Sequence, residues 1–223
     1  MKAIDVNGYR YHDIVLYLAS LLTALGEKVL VRDMTDDMSI YRYLPEVKGI
    51  EEGGQLELKG VEFAQGHIPV PEECTYCFNL WEPAKSLSFV REESACDFKL
   101  FITDEEPMHE KDMDYSMRFS ALGTGGYTES DSYFVIRDFV GMVMQNLIGM
   151  FSGSGKGRVF RLPYSEKDRK AELYLTVRDD ISYRNISDKM SCLLEELIAR
   201  IRPGTGCGEF ERAFKTVMKG GCR

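Results

Sequence analysis

A chain of 223 residues, 44% of them hydrophobic and 11% aromatic, can bury one sizeable core, so a single domain is the expectation. Its formal charge of −8 and pI near 5.1 leave no basic field to hold a phosphate backbone, which argues against a nucleic-acid partner. Six cysteines are scattered at 74, 77, 96, 192, 207 and 222 and no apolar leader run precedes the first strand pattern, so the expected setting is cytoplasmic with reduced thiols.

The first 37 residues read as strand KAIDV, tight turn NGYRYHD, long helix IVLYLASLLTALGEK, strand VLVRD and an acidic loop. That order is an opening βαβ unit. A short helix is predicted over 39–44, limited by Pro45. Residues 55–63 alternate apolar and polar around Lys59-Gly60, which predicts a small hairpin at the sheet margin. The continuous apolar run 76–81 reads as a central strand closed by Glu82-Pro83. A strand over 98–103 leads to Asp104-Glu105-Glu106-Pro107 and a helix starting near Met108.

The Gly-rich stretch 122–126 is a loop before a strand at 133–137. The apolar run 139–151 contains Gln145 and Asn146, is too short to span a bilayer, and reads as a core helix. A turn at 152–157 returns the chain to a strand at 158–162, and a later helix through 187–198 is stopped by Arg202-Pro203-Gly204. The alternation predicts an α/β domain over 1–202, a mostly parallel sheet flanked by helices with one hairpin excursion. Residues 203–223 read as a Gly-rich linker and a short amphipathic basic tail.

The first helix and second strand resemble those of the MinD/ParA group of partition and positioning ATPases, the deviant Walker A branch of P-loop (SIMIBI-class) NTPases. The matching residues are Leu16, Leu18, Ala19, Leu22 and Leu25, then Gly26-Glu27-Lys28-Val29-Leu30-Val31 and Asp33. Leu162-Pro163-Tyr164 is similar to a late element of the same group. The resemblance implies a P-loop NTPase-like, Rossmann-like three-layer fold whose first loop reads KGGxGKTT. Laid on that loop, Val6 and Asn7 stand at the first lysine and glycine, Gly8 at the second glycine and Arg10 at the third. Tyr11 falls at the phosphate-binding lysine, and His12 and Asp13 at the two hydroxyl residues.

A phosphate loop works because glycines let backbone N–H groups crowd the phosphates, lysine neutralises charge and Ser/Thr holds Mg²⁺. Tyr11 supplies no charge and Asp13 repels a triphosphate. The family's strand-ending aspartate is here Asn79, which carries no charge.

The resemblance, with these departures, implies a non-catalytic pseudo-ATPase with no catalytic residue, cofactor or metal. Such a chain would be a regulatory or scaffold subunit that binds protein partners, or a second copy of itself as a homodimer. Family members with altered nucleotide sites occur in pilus assembly and secretion. The alternative is an ATP/Mg²⁺ switch or weak ATPase, with Gly8, Arg10 and Asp33 in a rearranged site and Asp33 and Asn79 as its residual nucleotide or cation ligands. MinD proteins end in a membrane-targeting amphipathic helix. The tail here is similar, with Phe210, Phe214, Val217 and Met218 on one face beside Arg212, Lys215, Lys219 and Arg223. That likeness implies a helix over 209–219 for the inner membrane face or a partner groove, with docking on the chain's own domain as the alternative.

Other signals have ordinary readings. Gly153-Ser154-Gly155-Lys156-Gly157 looks like a phosphate loop, yet Met150 and Gly157 stand where the pattern needs Gly and Ser/Thr, so it reads as a solvated turn. Cys74 and Cys77 lack a second ligand pair and read as small apolar fillers. His12, His67 and His109 show no ligand spacing, and His12 reads as packing at the first helix. Tyr9-Arg10-Tyr11 reads either as a plug in the vacated phosphate cavity or as a partner-binding tip. Asp33, Asp36 and Asp37 read as solvated acids, with a cation site as the alternative.

Overall fold

Eight strands lie in the order β3-β4-β2-β5-β1-β6-β7-β8. They are β1 (Lys2–Gly8), β2 (Val29–Asp33), β3 (Gln55–Leu58), β4 (Val61–Gln65), β5 (Tyr76–Trp81), β6 (Phe98–Asp104), β7 (Asp131–Arg137) and β8 (Gly157–Arg161). Four helices are described: α1 (His12–Ala24), α2 (Glu166–Val177), α3 (Asp188–Ile201) and α4 (Cys207–Met218). This computed structural model describes residues 1–36, 39–44, 55–66, 68–81, 96–104, 131–138, 157–177, 183 and 185–220. The expected helix near Met108, the loop at 122–126, the core helix at 139–151 and residues 152–156 of the turn at 152–157 lie outside them, as do Asp37, His67, His109 and Cys222.

The β1–β6, β6–β7, β7–β8 and β2–β4 pairs are parallel, and the β3–β4 hairpin is antiparallel at the margin. Parallel strands are covered on both faces and read as continuous apolar runs. β5 fits, with its first five residues all buried. The chain is a single α/β domain with a mostly parallel sheet flanked by helices, as its alternating pattern predicted. It divides into two compact units, one of Met1, His12–Phe78 and Ser165–Arg223, the other of Lys2–Tyr11 and Asn79–Tyr164.

The first unit is organised on α1. All ten residues from Asp13 to Leu22 are buried, the signature of a helix packed on every side. Gly26 ends it at φ 90°: its N–H reaches the Thr23 carbonyl and the Glu27 N–H reaches Leu22, a C-terminal cap that a left-handed residue closes. Tyr183 packs on α1 with its ring 4.8 Å from that of Tyr17, donates to the Leu16 carbonyl and accepts from Ser20. α3 buries Met190, Leu193, Leu194, Leu197, Ile198 and Ile201, a helical stripe whose start is capped by Ser187 accepting from the Met190 N–H. Buried Asp168 on α2 holds that cap from behind, accepting the Ser187 N–H and hydroxyl, both at 2.6 Å.

Cys74 and Cys77 are buried with Leu30 and Ala64, beneath Ile68 and Val70. Cys74 Sγ donates to the Tyr76 carbonyl at 3.1 Å. Burial raises its thiol pKa, which keeps the sulfur in its unreactive thiol form, as suits a small apolar filler. The short helix expected over 39–44 is instead a 3₁₀ turn, Ser39–Tyr43. The reason is given with Asp33 below.

α4 begins at Cys207 and ends at Met218, two residues earlier at its start than its periodicity suggested, and it packs on α1 and α3. Phe210, Ala213 and Val217 are buried there, while Phe214 and Met218 are half-buried. The apolar face proposed for lipid or a partner groove is therefore turned largely toward the chain's own first unit. Arg202 clasps the join: its Nε donates to Glu27 at 2.8 Å and its Nη1 to Glu209 at 3.1 Å and Thr205 at 3.0 Å. No described helix is long and apolar enough to cross a membrane.

Docking of α4 makes Phe210→Ala a core truncation. The expected loss is about 3 kcal/mol of stability, read as a lowered urea midpoint. A tail that stood free of α1 would leave the midpoint unchanged.

Candidate functional site

The loop that follows β1 occupies the place where doubly wound sheets carry their ligand sites, outside the carboxyl ends of parallel strands. Within the second unit it is closed onto β6. Gly8 sits at φ 137°, and a Cβ placed on it would lie 1.7 Å from the Ile102 carbonyl oxygen. The next N–H, that of Tyr9, donates to the same oxygen at 2.8 Å. Asn7 is 7% exposed, and its Oδ1 has no hydrogen-bond partner among the described residues.

Arg10 leaves the loop at φ 52°, a left-handed conformation uncommon for a long side chain. Its guanidinium is paired with Asp138 and lies 3.7 Å from Asp104 Oδ2. Its carbonyl accepts from Arg137, a side chain 2% exposed at the end of β7. Asp104 ends β6 and stands opposite Arg137 in the parallel register. Two arginines and two aspartates thus gather at the ends of three strands and tie down the loop. Tyr11, the next side chain, is 2% exposed.

The rest of the loop enters α1 in the first unit. His12 is half-buried and stacks on Tyr43, ring centroids 4.4 Å apart and planes 13° from parallel. Asp13 is buried in the first turn, where a carboxylate is favoured by the positive end of the helix. The helix terminus that would attract a phosphate already has an internal anion.

Asp33 ends β2 and is fully buried, not solvated as its acidic neighbourhood suggested. Its Oδ1 accepts from the Thr35 N–H at 2.9 Å and the Thr35 hydroxyl at 2.5 Å, and its Oδ2 from the Ile40 N–H at 2.8 Å. These bonds form an Asx turn and draw residues 39–43 into a tight 3₁₀ turn rather than an α-helix. Burial, aided by the Asp33 charge, pushes the Tyr41 phenol up to about 12. Asp36 is exposed. Asn79, 1% exposed in β5, donates to Asp5 Oδ1 at 2.8 Å, and burial together with the Asp5 charge raises the Cys96 thiol to about 12. Asp33 belongs to the first unit and Asn79 to the second, and each is engaged inside its own unit. Among the described residues no group of three or more His, Cys, Asp or Glu is placed to hold a metal ion.

Sequence reasoning singled out Gly8, Tyr9, Arg10 and Tyr11 but missed their partners Asp104, Arg137 and Asp138. The available signal was charge at consecutive strand ends: Asp104 after an apolar strand, and Arg137-Asp138 after the next.

No protein-family model matches this chain, and no curated protein sequence does. Its fold does match solved structures. The MinC:MinD cell division protein complex of Aquifex aeolicus superposes with a TM-score of 0.55 at 11% identity, over 97% of this chain and 96% of that one. A plasmid partition protein of Borrelia burgdorferi bound to AMPPNP gives 0.52 at 11% identity, over 98% and 99%. The fold is MinD/ParA-like over the whole chain, as the opening residues implied.

Two outcomes test this geometry. Gly8→Ala is expected to cost at least about 3 kcal/mol in urea unfolding, since the new methyl overlaps a backbone carbonyl that is itself hydrogen-bonded. The folded Tyr41 phenol holds its proton more tightly than an unfolded one, so the stability this carries is intact below about pH 10 and is lost as pH rises toward 12. Tyr41→Phe should flatten that alkaline decline.

Proposed function

We propose that this chain is a non-catalytic relative of the MinD/ParA ATPases that acts as a regulatory or scaffold subunit through contacts with protein partners, in the setting of pilus assembly or secretion. The observation that carries the reading is the closed loop: Tyr9 spends its N–H on Ile102, and Arg10 faces Asp138 and Asp104. A Mg²⁺-nucleotide does not fit these residues. The phosphates would find no lysine, no Ser/Thr to hold the metal at 12 and 13, and two carboxylates beside the one cation of the loop. Tyr11, buried at the lysine's place, supports the plug over the partner-tip reading of the aromatic cluster.

The Aquifex aeolicus neighbour was solved with a protein partner, MinC, which supports a role built on protein contacts. The Borrelia burgdorferi neighbour carries AMPPNP, and a rearranged nucleotide switch is the reading to be excluded. A membrane role for α4 would require the helix to leave α1, and it stands behind the scaffold reading for that reason.

Titration calorimetry with ATP and ADP in the presence of Mg²⁺ is expected to give no saturable heat, and a phosphate-release assay no turnover above buffer. Saturable ATP binding, with turnover abolished by Tyr11→Ala or Asp33→Ala, would replace this reading with the switch.

A further inference from the structure

We propose that the outer edge of β3 takes up, as a further strand, an extended segment of a partner protein in which basic and aliphatic residues alternate, a proposal that rests on the reading that this chain works through protein contacts. β3 is the last strand on its side of the sheet. It joins β4 through a two-residue turn in which Lys59 and Gly60 have φ of 51° and 76°, the conformation that closes tight hairpins. In such a hairpin the flanking pair, Leu58 and Val61, exchanges hydrogen bonds, and bonded and unbonded pairs then alternate along the ladder. Leu56 therefore bonds to Phe63, while the N–H and C=O groups of Gln55 and Glu57 point away from β4 to the open edge.

Side chains alternate in step with the backbone. Leu56 and Leu58 are half-buried and share a face with buried Val61 and Phe63, which leaves an apolar strip part-covered at the edge. On the opposite face Glu57 stands directly across from Glu62, in an unbonded pair, where facing side chains come closest. Like charges so placed destabilise a hairpin. Gln55 Nε2 lies 3.5 Å from Glu62 Oε2 but is neutral, and Lys59 lines a hollow with Ser20 and Tyr183. Among the described residues neither glutamate has a cation partner.

This unneutralised pair selects the occupant. A strand laid along β3 bonds to Gln55 and Glu57 through its main chain, which gives affinity, and its alternate side chains give specificity. A lysine or arginine opposite Glu57 offsets the carboxylate that Glu62 opposes, and the aliphatic residues on either side of it cover Leu56 and Leu58. A second copy of this chain brings no such cation. Two-fold pairing within the length of β3, with leucine beside leucine, sets Glu57 against Glu57 or against Gln55. Anionic lipid and nucleic acid are repelled by the same glutamates.

Two measurements test the edge. In the first, a fluorescent peptide of alternating valine and lysine is titrated by anisotropy against the full-length protein, beside a peptide of the same composition with its valines and lysines in separate blocks. The alternating peptide is expected to bind at least about tenfold more tightly, since general attraction to an acidic protein serves both equally. Glu57→Gln should weaken its binding about two- to fivefold and yet raise the urea midpoint of the free protein, because the repulsion from Glu62 is gone. Gln55→Pro removes an outward N–H at the first residue of an edge strand, so it should weaken binding with little change in midpoint. Equal binding of the two peptides, or binding indifferent to either substitution, overturns the proposal. So does self-association that Gln55→Pro abolishes, which would make the occupant a second copy.

In the second, a photo-crosslinking residue is placed at position 55, or at 215 on α4, in cells native to the protein. Adducts at 55 whose crosslinked segment, sequenced by mass spectrometry, alternates basic and aliphatic residues support the edge, and adducts there to any other sequence overturn it. Adducts from 215 alone overturn the edge while leaving the scaffold reading standing. Adducts from neither site overturn the edge and count against the scaffold reading with it.

Discussion

The carbonyl oxygen of Ile102 governs what the loop after β1 can be. It occupies the space that any side chain at Gly8 would need, and it takes the N–H of Tyr9. A buried backbone N–H is spoken for once it has a carbonyl partner, so this amide cannot also line an anion cradle. With residues 8 and 9 fixed in this way, Arg10 must leave at a positive φ. Its carbonyl then falls to Arg137, and its guanidinium to the aspartates at the ends of β6 and just past β7. One main-chain contact therefore sets the positions of four charged side chains.

Magnitudes identify which of those charges matters most. Pairs that remain open to water are worth roughly 0–1 kcal/mol, and the Arg10 and Asp138 side chains are 25% and 33% exposed. Asp104 is different, with a side chain only 5% exposed. A buried carboxylate is costly without compensating charge, and the Arg10 guanidinium supplies some of it from 3.7 Å. The left-handed backbone at both Arg10 and Asp138, of order 1 kcal/mol or more each, is tolerated because the pairing they make over-determines the geometry. An incoming phosphate would face these carboxylates at short range, where two like charges about 4 Å apart repel by about 4 kcal/mol at an effective dielectric constant of 20. The internal acids do for Arg10 what a bound anion would do.

Local pattern was enough to read most of the scaffold. α1 carries a nearly continuous apolar run from Ile14 to Leu22, the β3–β4 hairpin alternates about Lys59-Gly60, and the stripe of α3 repeats at helical spacing. Each of these follows from a few adjacent residues. The cluster of Arg10, Arg137, Asp104 and Asp138 was not legible, because Asp104 stands opposite Arg137 only through the register of β6 on β7, which no local window contains. Asp33 was misplaced for a related reason. Its acidic neighbours Asp36 and Asp37 suggest a solvated loop, but two of its bonds run to Thr35 and a third to the backbone N–H of Ile40, seven residues on, which no side chain marks.

α4 shows the limit of amphipathic pattern as a guide to environment. Phe210 and Val217 satisfy the spacing demanded by a bilayer surface and equally that demanded by α1, since both reward one apolar stripe. The balance is decided by what each environment returns. Burying those two side chains is worth about 1.5–3 kcal/mol apiece whether the cover is protein or lipid. The docked state adds the Arg202 bonds to Glu27 and Glu209, which join the α1–β2 turn to the first turn of α4. Those bonds are partly exposed and contribute at most about 1 kcal/mol each. A lipid surface would have to replace them through Arg212, Lys215 and Lys219, whose attraction depends on anionic headgroups and fades with salt. Lys215 is moreover 3.7 Å from Glu211 on the same helix, which reduces the charge available for that attraction. Screening by salt weakens that lipid attraction, while the apolar contacts of the docked helix do not depend on it.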